Sequence, residues 1–408
     1  MRILQINSVA GAGSTGKTVR DIADCLRSNG HECYIAYGHG TSDDTFAFKV
    51  GSDFENLCHN LFYTRICGLQ GHGTKNGTRK LIQWIQSVRP DVVHFHNLHI
   101  NYLNYRLLFD ELIRENIPVL FTLHDCFDYT GVCAHYTAHA CFRWKQTCGP
   151  CPYYRSATAL SWFRDRSRRM FEEKKSIYAR LPEMAVVAVS DWLKNEAGQS
   201  IMTVANRQVH RIYNWIDTSV FRPSDEAAKE KFRQKYRLAA DKEYLVAVSQ
   251  LWDKNQSRCR DACRLAEILP SRYRLILIGH LSPGSRLHSG IIHIPYISEV
   301  TELAAAYSLA SAYLHFSVED SFGKVIAEAM ACGTPPVTFD STACAEVPGP
   351  YGAVVPPHDV EAMLEAVKRM HNDERTKNDM LSFIRSRYDK ESNLKQYLQL
   401  YSQLAERR

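Results

Sequence analysis

Glu319-Asp320-Ser321-Phe322-Gly323-Lys324-Val325-Ile326-Ala327-Glu328-Ala329-Met330-Ala331-Cys332-Gly333-Thr334-Pro335-Pro336-Val337 is the stretch whose reading decides the fold. An apolar run over 312–317 predicts a strand that ends in an acidic turn. Gly323 permits close approach, a helix is expected over 323–331, and 336–339 reads as the next strand. Strand, turn and helix in that order form the repeating unit of a parallel sheet. The first-turn amides of such a helix can hold an anion. Asp320 and Glu328 then flank one cleft at the C-terminal ends of the strands, and the long Glu328 carboxylate can accept two hydroxyls of a sugar ring.

Outward from this stretch the same rhythm recurs. In the second half, strands are predicted over 244–249, 273–279 and 291–294, and helices over 258–268, 299–308, 360–372 and 392–406. In the first half, strands are predicted over 2–7, 32–37, 92–96, 117–123 and 183–189. Helices are expected there over 16–28, 81–88, 105–115 and 160–180, with 126–155 irregular. The fold class is therefore α/β, with two Rossmann-like doubly wound parallel-sheet domains in tandem. The boundaries fall at 1–213 for the first, with a Cys-rich insertion at 126–155, and at 225–388 for the second. A linker at 214–224 joins them, and a C-terminal helix over 389–408 is placed to cross back to the first domain.

The 408 residues are 45% hydrophobic and 23% charged, an ordinary globular mixture that excludes general disorder. No uncharged apolar run reaches the roughly 18 residues of a spanning helix. Met1 leads directly into a buried strand rather than a secretory signal, so the expected location is cytosolic or the cytosolic face of a membrane. The net charge of +6 does not argue for nucleic acid. Within 155–180, however, Arg155, Arg164, Arg166, Arg168, Arg169, Lys174, Lys175 and Arg180 face only Asp165, Glu172 and Glu173, with Trp162, Phe163, Met170 and Phe171 interleaved. A solvated helix face with an apolar seam explains this stretch; so does attraction to an anionic membrane surface or a phosphorylated acceptor.

Gly11-Ala12-Gly13-Ser14-Thr15-Gly16-Lys17-Thr18 matches the phosphate-loop pattern G-x4-G-K-[ST]. The predicted strand stops at Asn7, three residues early, and the one candidate for a Mg-holding aspartate is Asp125 after 119–123. The loop is therefore expected to bring Gly16 and Lys17 to a phosphate-bearing ligand without hydrolysing ATP; a P-loop hydrolase or kinase is the alternative. Of the thirteen cysteines, Cys133, Cys141, Cys148 and Cys151 crowd together at x7, x6 and x2 spacing. Four thiolates with one C-x2-C knuckle suit a tetrahedral structural zinc, with free thiols and disulfides as the other readings.

The quoted stretch resembles the E-x7-E signature of family 4 retaining glycosyltransferases, whose GT-B fold sets two Rossmann-like domains across a cleft. Asp91-Val92-Val93-His94-Phe95-His96, Leu123-His124-Asp125, Asn214-Trp215-Ile216-Asp217 with Phe221-Arg222-Pro223, and Thr342-Ala343-Cys344-Ala345-Glu346-Val347 resemble further family segments. The opening Leu4-Gln5-Ile6-Asn7-Ser8-Val9 and the cysteine stretch are similar to exopolysaccharide enzymes of the colanic-acid type. Asp320 stands where the family has its first glutamate. The family's Arg and Lys after the first strand of the second domain are reduced to Lys254. The resemblance implies transfer of a sugar, with retention, from a UDP- or GDP-sugar to a hydroxyl of a glycan or lipid-linked oligosaccharide acceptor in exopolysaccharide, capsule or O-antigen synthesis. It implies Asp320 on the donor sugar, Glu328 on the ribose, and Lys254, Lys324 and the amides after Phe322-Gly323 on the diphosphate. His124 would orient donor sugar or acceptor. No catalytic metal is expected, since no Asp-x-Asp has strand context. A transfer-inactive relative, such as a nucleotide-sugar epimerase or a binding subunit, is the remaining alternative.

Overall fold

Arg2–Val9 is buried along almost its whole length, polar Gln5 and Asn7 included. A strand buried on both faces belongs to a parallel sheet covered by helices. In the computed structural model, which describes every residue except 12, 371–373 and 408 and the side chain at 206, this strand is β1 of the first sheet. The others are β2 (Glu32–His39), β3 (Ala47–Lys49), β4 (Val92–Phe95), β5 (Val119–Leu123), β6 (Met184–Ala188) and β7 (Val209–Arg211), in the order β3-β2-β1-β4-β5-β6-β7. Every pair is parallel. The second sheet holds β8 (Glu243–Trp252), β9 (Tyr273–Leu281), β10 (Ile291–Ile294), β11 (Ala312–His315), β12 (Pro336–Phe339) and β13 (Ala353–Val355), ordered β10-β9-β8-β11-β12-β13 and again all parallel.

In each sheet the chain reverses direction of growth once, beside β1 and β4 in the first and beside β8 and β11 in the second. Such switch points open a crevice beyond the C-terminal ends of the strands. The chain divides into two units, Met1–Ile212 with Ser392–Arg408, and Tyr213–Glu391. The core of the second is aliphatic, with Leu245, Leu275, Leu277, Leu314 and Val337 fully buried. The helix Lys390–Ala405 buries Tyr397 and Tyr401 against the first sheet.

Several elements differ from expectation. β1 runs on to Val9 and the helix begins at Gly13, so Gly13–Thr18 is helical rather than a phosphate-wrapping loop. Ala12, and the end of the helix expected over 360–372, lie outside the described residues; the described helix is Val360–Arg369. The basic helix starts at Ser167, not 160, because 161–166 is pinned to Arg65 and Asp165. The Arg65 carbonyl accepts from the Trp162 amide at 2.7 Å, and Asp165 from the Ser167 amide at 2.9 Å. Lys174, counted among the solvated cations, is buried, with Nζ donating to the Phe127 and Thr130 carbonyls. The periodicity also misses a helix at Asp53–Cys58 that widens into a π-helical stretch, His59–Ile66.

Candidate functional site

β11 ends on His315, which shares a strand face with Tyr313 two residues earlier. The Tyr313 hydroxyl lies 3.1 Å from His315 Nδ1, and burial, then the Asp320 charge, push that hydroxyl well above the usual tyrosine range. Tyr313 therefore donates to Nδ1, and the imidazole proton resides on Nε2, 2.7 Å from Asp320 Oδ2. The Asp320 amide donates to Thr342 Oγ1 at 3.1 Å and its carbonyl accepts from the Ala343 amide at 3.3 Å. Asp320 is thus clamped at both backbone and side chain, with its carboxylate about one-third exposed (36%). His315, Asp320 and Cys344 bring possible ligand atoms within 4.8 Å of one another, the one such metal-capable trio among the described residues. All three are already joined by hydrogen bonds, Cys344 Sγ lying 3.8 Å from Asp320 Oδ2.

Gly323 takes a left-handed conformation (φ 80°) that turns the chain into the helix Lys324–Ala331. A Cβ there would stand 2.7 Å from Ile326 Cδ1. Lys324 is the first helical residue, and Glu328 is buried beside Tyr307, close enough that its charge adds to burial in raising the Tyr307 hydroxyl. Phe322 precedes Gly323. Its ring is buried between Tyr213 and Tyr388, at centroid distances of 6.2 and 5.2 Å, so the side chain fixes the turn and leaves only its backbone to a ligand.

β8 carries an irregularity between Val248 and Leu251 and ends on buried Trp252, whose Nε1 donates to the Ile278 carbonyl at 3.0 Å. Lys254 follows, exposed, its amide donating to Ser285 Oγ at 3.0 Å. The sequence left Lys254 as the sole cation here; the structure adds Arg258. From the first turn of the helix Ser257–Ile268, Arg258 Nη1 donates at 3.0 Å to Ser249 Oγ in the irregular part of β8. A contact between a strand and the next helix is invisible in linear spacing, although helical geometry does bring such a residue back over the strand.

In the first unit, Gly16 lies inside the helix Gly13–Ser28, where a Cβ would meet the Gly11 amide nitrogen at 3.0 Å, so its role is close packing under the turn. Lys17 is exposed one residue on. His124 follows β5 and is fixed by a relay. Gln5 Nε2 donates to the Val19 carbonyl at 2.9 Å, which turns Oε1 toward His96 Nε2 at 3.0 Å. His96 therefore carries its proton on Nε2 and accepts on Nδ1 from His124 Nε2 at 2.9 Å. Burial, then the neighbouring His94 and His124, hold His96 well below the usual histidine range, so it is neutral. Asp125 is paired with His99 at 2.8 Å, a partner the sequence did not suggest.

Residues 15–220 match the pattern of the family described as Glycosyltransferase Family 4, and residues 242–373 that of Glycosyl transferases group 1. The chain belongs to glycosyltransferase family 4. An O-antigen chain mannosyltransferase B of Escherichia coli is 28% identical over 218 residues, 49% of this chain and 54% of that protein. The chain thus matches about half the length of this curated relative. Sucrose-phosphate synthase from Thermosynechococcus elongatus superposes with a TM-score of 0.69 at 18% identity, covering 99% of this chain and 98% of the other. Anabaena HepE, solved with UDP-glucose, does so with a TM-score of 0.67 at 14% identity, covering 99% and 100%. These likenesses show the GT-B fold.

In this family 4 chain the remaining candidates form a separate group. Cys133, Cys141, Cys148 and Cys151 line one pocket, while Cys126 is buried elsewhere beside Tyr129 and Tyr136. Burial, reinforced by the other three thiols, pushes Cys133 up to about 12, and burial pushes Cys148 up to about 11.

Proposed function

We propose that the protein is a retaining glycosyltransferase that moves a sugar from a UDP- or GDP-sugar to a hydroxyl of a glycan or lipid-linked oligosaccharide in the synthesis of a surface polysaccharide. The observation that carries this reading is the β11 junction, where Asp320 is clamped by His315 and followed by Glu328 at the switch point of the second sheet. The mannosyltransferase activity of the Escherichia coli relative and the UDP-glucose in HepE support it. The barrier in such a transfer is charge growing on the departing diphosphate. Cations and helix-start amides stabilise that charge best where water is excluded. Lys254, Arg258, Lys324 and the amides after Gly323 take this role, Asp320 the donor sugar, Glu328 the ribose and His124 the reacting hydroxyl or sugar. No catalytic metal is assigned, because no Asp-x-Asp follows a strand in the sequence.

Glu328→Ala removes two charge-assisted hydrogen bonds of roughly 1.5–3 kcal/mol each, so affinity for the nucleoside diphosphate should fall on the order of a hundredfold or more. Calorimetric titration with UDP and GDP measures this. Unchanged binding in the variant sinks the assignment.

The acceptor's surroundings are read from an inverted helix. Over 53–66 the buried residues are polar, namely Asn56, His59 and Thr64, while Phe54, Leu57, Leu61, Phe62 and Ile66 are exposed, Phe54 by 75%. Trp162 and Phe163, also exposed, join them through the Trp162 amide on the Arg65 carbonyl. Arg164 and Arg166 pass directly over Gly68 at the end of this helix. An apolar face rimmed by cations fits an anionic bilayer surface. The contact proposed is peripheral; no helix among the described residues is long and apolar enough to cross a membrane.

A further inference from the structure

We propose that Cys133, Cys141, Cys148 and Cys151 bind one zinc ion, which ties the 126–166 segment of the first unit together. The segment needs such a tie. Its regular structure among the described residues consists of two short 3-10 turns, Thr137–His139 and Arg143–Lys145, yet it buries Tyr129, Tyr136 and Trp144 almost completely. A loop of this length without helix or strand is unusual in a compact domain unless something other than backbone pairing fixes it.

The four thiols line one pocket, whose walls carry no carboxylate and no histidine: Val132, Tyr136 and Trp144 supply its apolar side. An all-sulfur donor set of four selects zinc or iron–sulfur among the common metals. The polar atoms around the sulfurs are disposed for an anionic cluster. The Gly131 amide donates to Cys148 Sγ at 3.1 Å, and the Tyr153 amide donates to Cys151 two residues behind it. Gly131 must be glycine, since a Cβ would stand 3.0 Å from the Cys148 Cβ and 2.5 Å from the Ser167 carbonyl oxygen. Trp144 Nε1, buried on the pocket wall, has no hydrogen-bond partner among the described residues. A donor left over in such a place suits thiolate sulfur. The buried Lys174 ammonium, faced first by Asp128, also lies near Cys148 and Cys133, where it offsets part of the net negative charge of a zinc tetrathiolate. The sulfurs do not stand within 4.8 Å of one another as a set, and zinc at about 2.3 Å from each would draw them in by side-chain rotation. Four protein sulfurs leave no position for water, so the ion would be structural.

The full chain, purified without chelators, should carry one zinc per molecule by elemental analysis. Cys148→Ser with Cys151→Ser should abolish it. Because that variant can fail to fold, the native chain provides a second reading. A mercurial should release the zinc as four thiols are consumed, and cobalt exchanged into the site should show the intense visible bands of a tetrahedral thiolate complex. Nucleotide binding by the second unit should persist in the metal-free chain, which separates failure of this proposal from failure of the transferase reading. A metal-free preparation whose four thiols react freely in the folded state overturns the proposal, as does an iron–sulfur cluster or a disulfide in their place.

Discussion

Asp320 reaches one methylene less far than a glutamate, and the hydrogen bond from His315 Nε2 sets where its carboxylate points. A side chain that short works only if something orients it, which makes His315 a positioning residue. His315→Leu should lower kcat about ten- to a hundredfold, the equivalent of one charge-assisted hydrogen bond, while the affinity for free UDP or GDP, set by Glu328, stays within a factor of two or three. Parallel turnover and calorimetric titration test this, and a loss shared equally by kcat and nucleotide affinity would show that the histidine only supports the fold. At this scale the sequence was informative where chemistry follows linear order. Asp320, Gly323, Lys324 and Glu328 sit in one turn and helix, and their spacing alone gathers them. It was silent where partners are distant in sequence. The Gln5–His96–His124 relay spans β1, β4 and the end of β5, and Arg258 meets Ser249 from the following helix. The burial of the Phe322 ring between Tyr213 and Tyr388 is likewise set by distant partners that linear order does not show.

Most elements whose apolar residues face inward were predicted from period, although the helices Asp191–Gly198 and Glu374–Arg387 were not; 53–66 was missed because its polarity is reversed. The inward side chains earn their burial through hydrogen bonds. Asn56 Nδ2 donates to the Gly38 carbonyl at 3.0 Å, and His59 bridges Thr74 Oγ1 at 2.9 Å and the Gly71 amide at 3.0 Å. That leaves the outward leucines and phenylalanines without a structural duty. Leu57→Ser with Leu61→Ser should therefore cost little stability, within the roughly 0.5 kcal/mol usual for surface changes. The same change should strongly reduce flotation with anionic liposomes. Raising salt should weaken the native binding only in part, since screening reaches the cationic rim but not the apolar contact. Equal flotation of native and variant protein sinks the membrane reading of this helix, and equal binding to neutral and anionic vesicles removes its electrostatic component. The basic stretch after it was legible as charge but not as structure, since Lys174 and Met170 turn inward once the helix starts at Ser167.

At the scale of the molecule, the two units carry different burdens of buried titratable groups, and this predicts how the first responds to acid. His94 in β4 and His96 just after it are wholly buried, and burial, with neighbouring histidines, holds both well below the usual range; burial likewise lowers His59 to about 3. In the unfolded chain each takes a proton near pH 6.5. Below that pH the unfolded state binds protons that the folded unit refuses, so stability falls as pH falls, by about 1.4 kcal/mol per pH unit for each histidine. His99 acts in the opposite sense. Burial disfavours its charge, but Asp125 outweighs burial and raises it, so its contribution is fully present below about pH 6.5 and is lost as pH rises through its folded value. These histidines favour the folded first unit near pH 6.5–7, while buried Asp128, raised by burial to about 7, gains stability below that pH and offsets part of their loss. Three histidines together should cost the unit about 3 kcal/mol between pH 6.5 and 5.5. Amide exchange read separately in the two sheets measures this, with β4 and β5 expected to lose protection on acidification. Protection in those strands that is the same at pH 5.5 and pH 6.5 would mean that His94 and His96 accept their protons without leaving the fold.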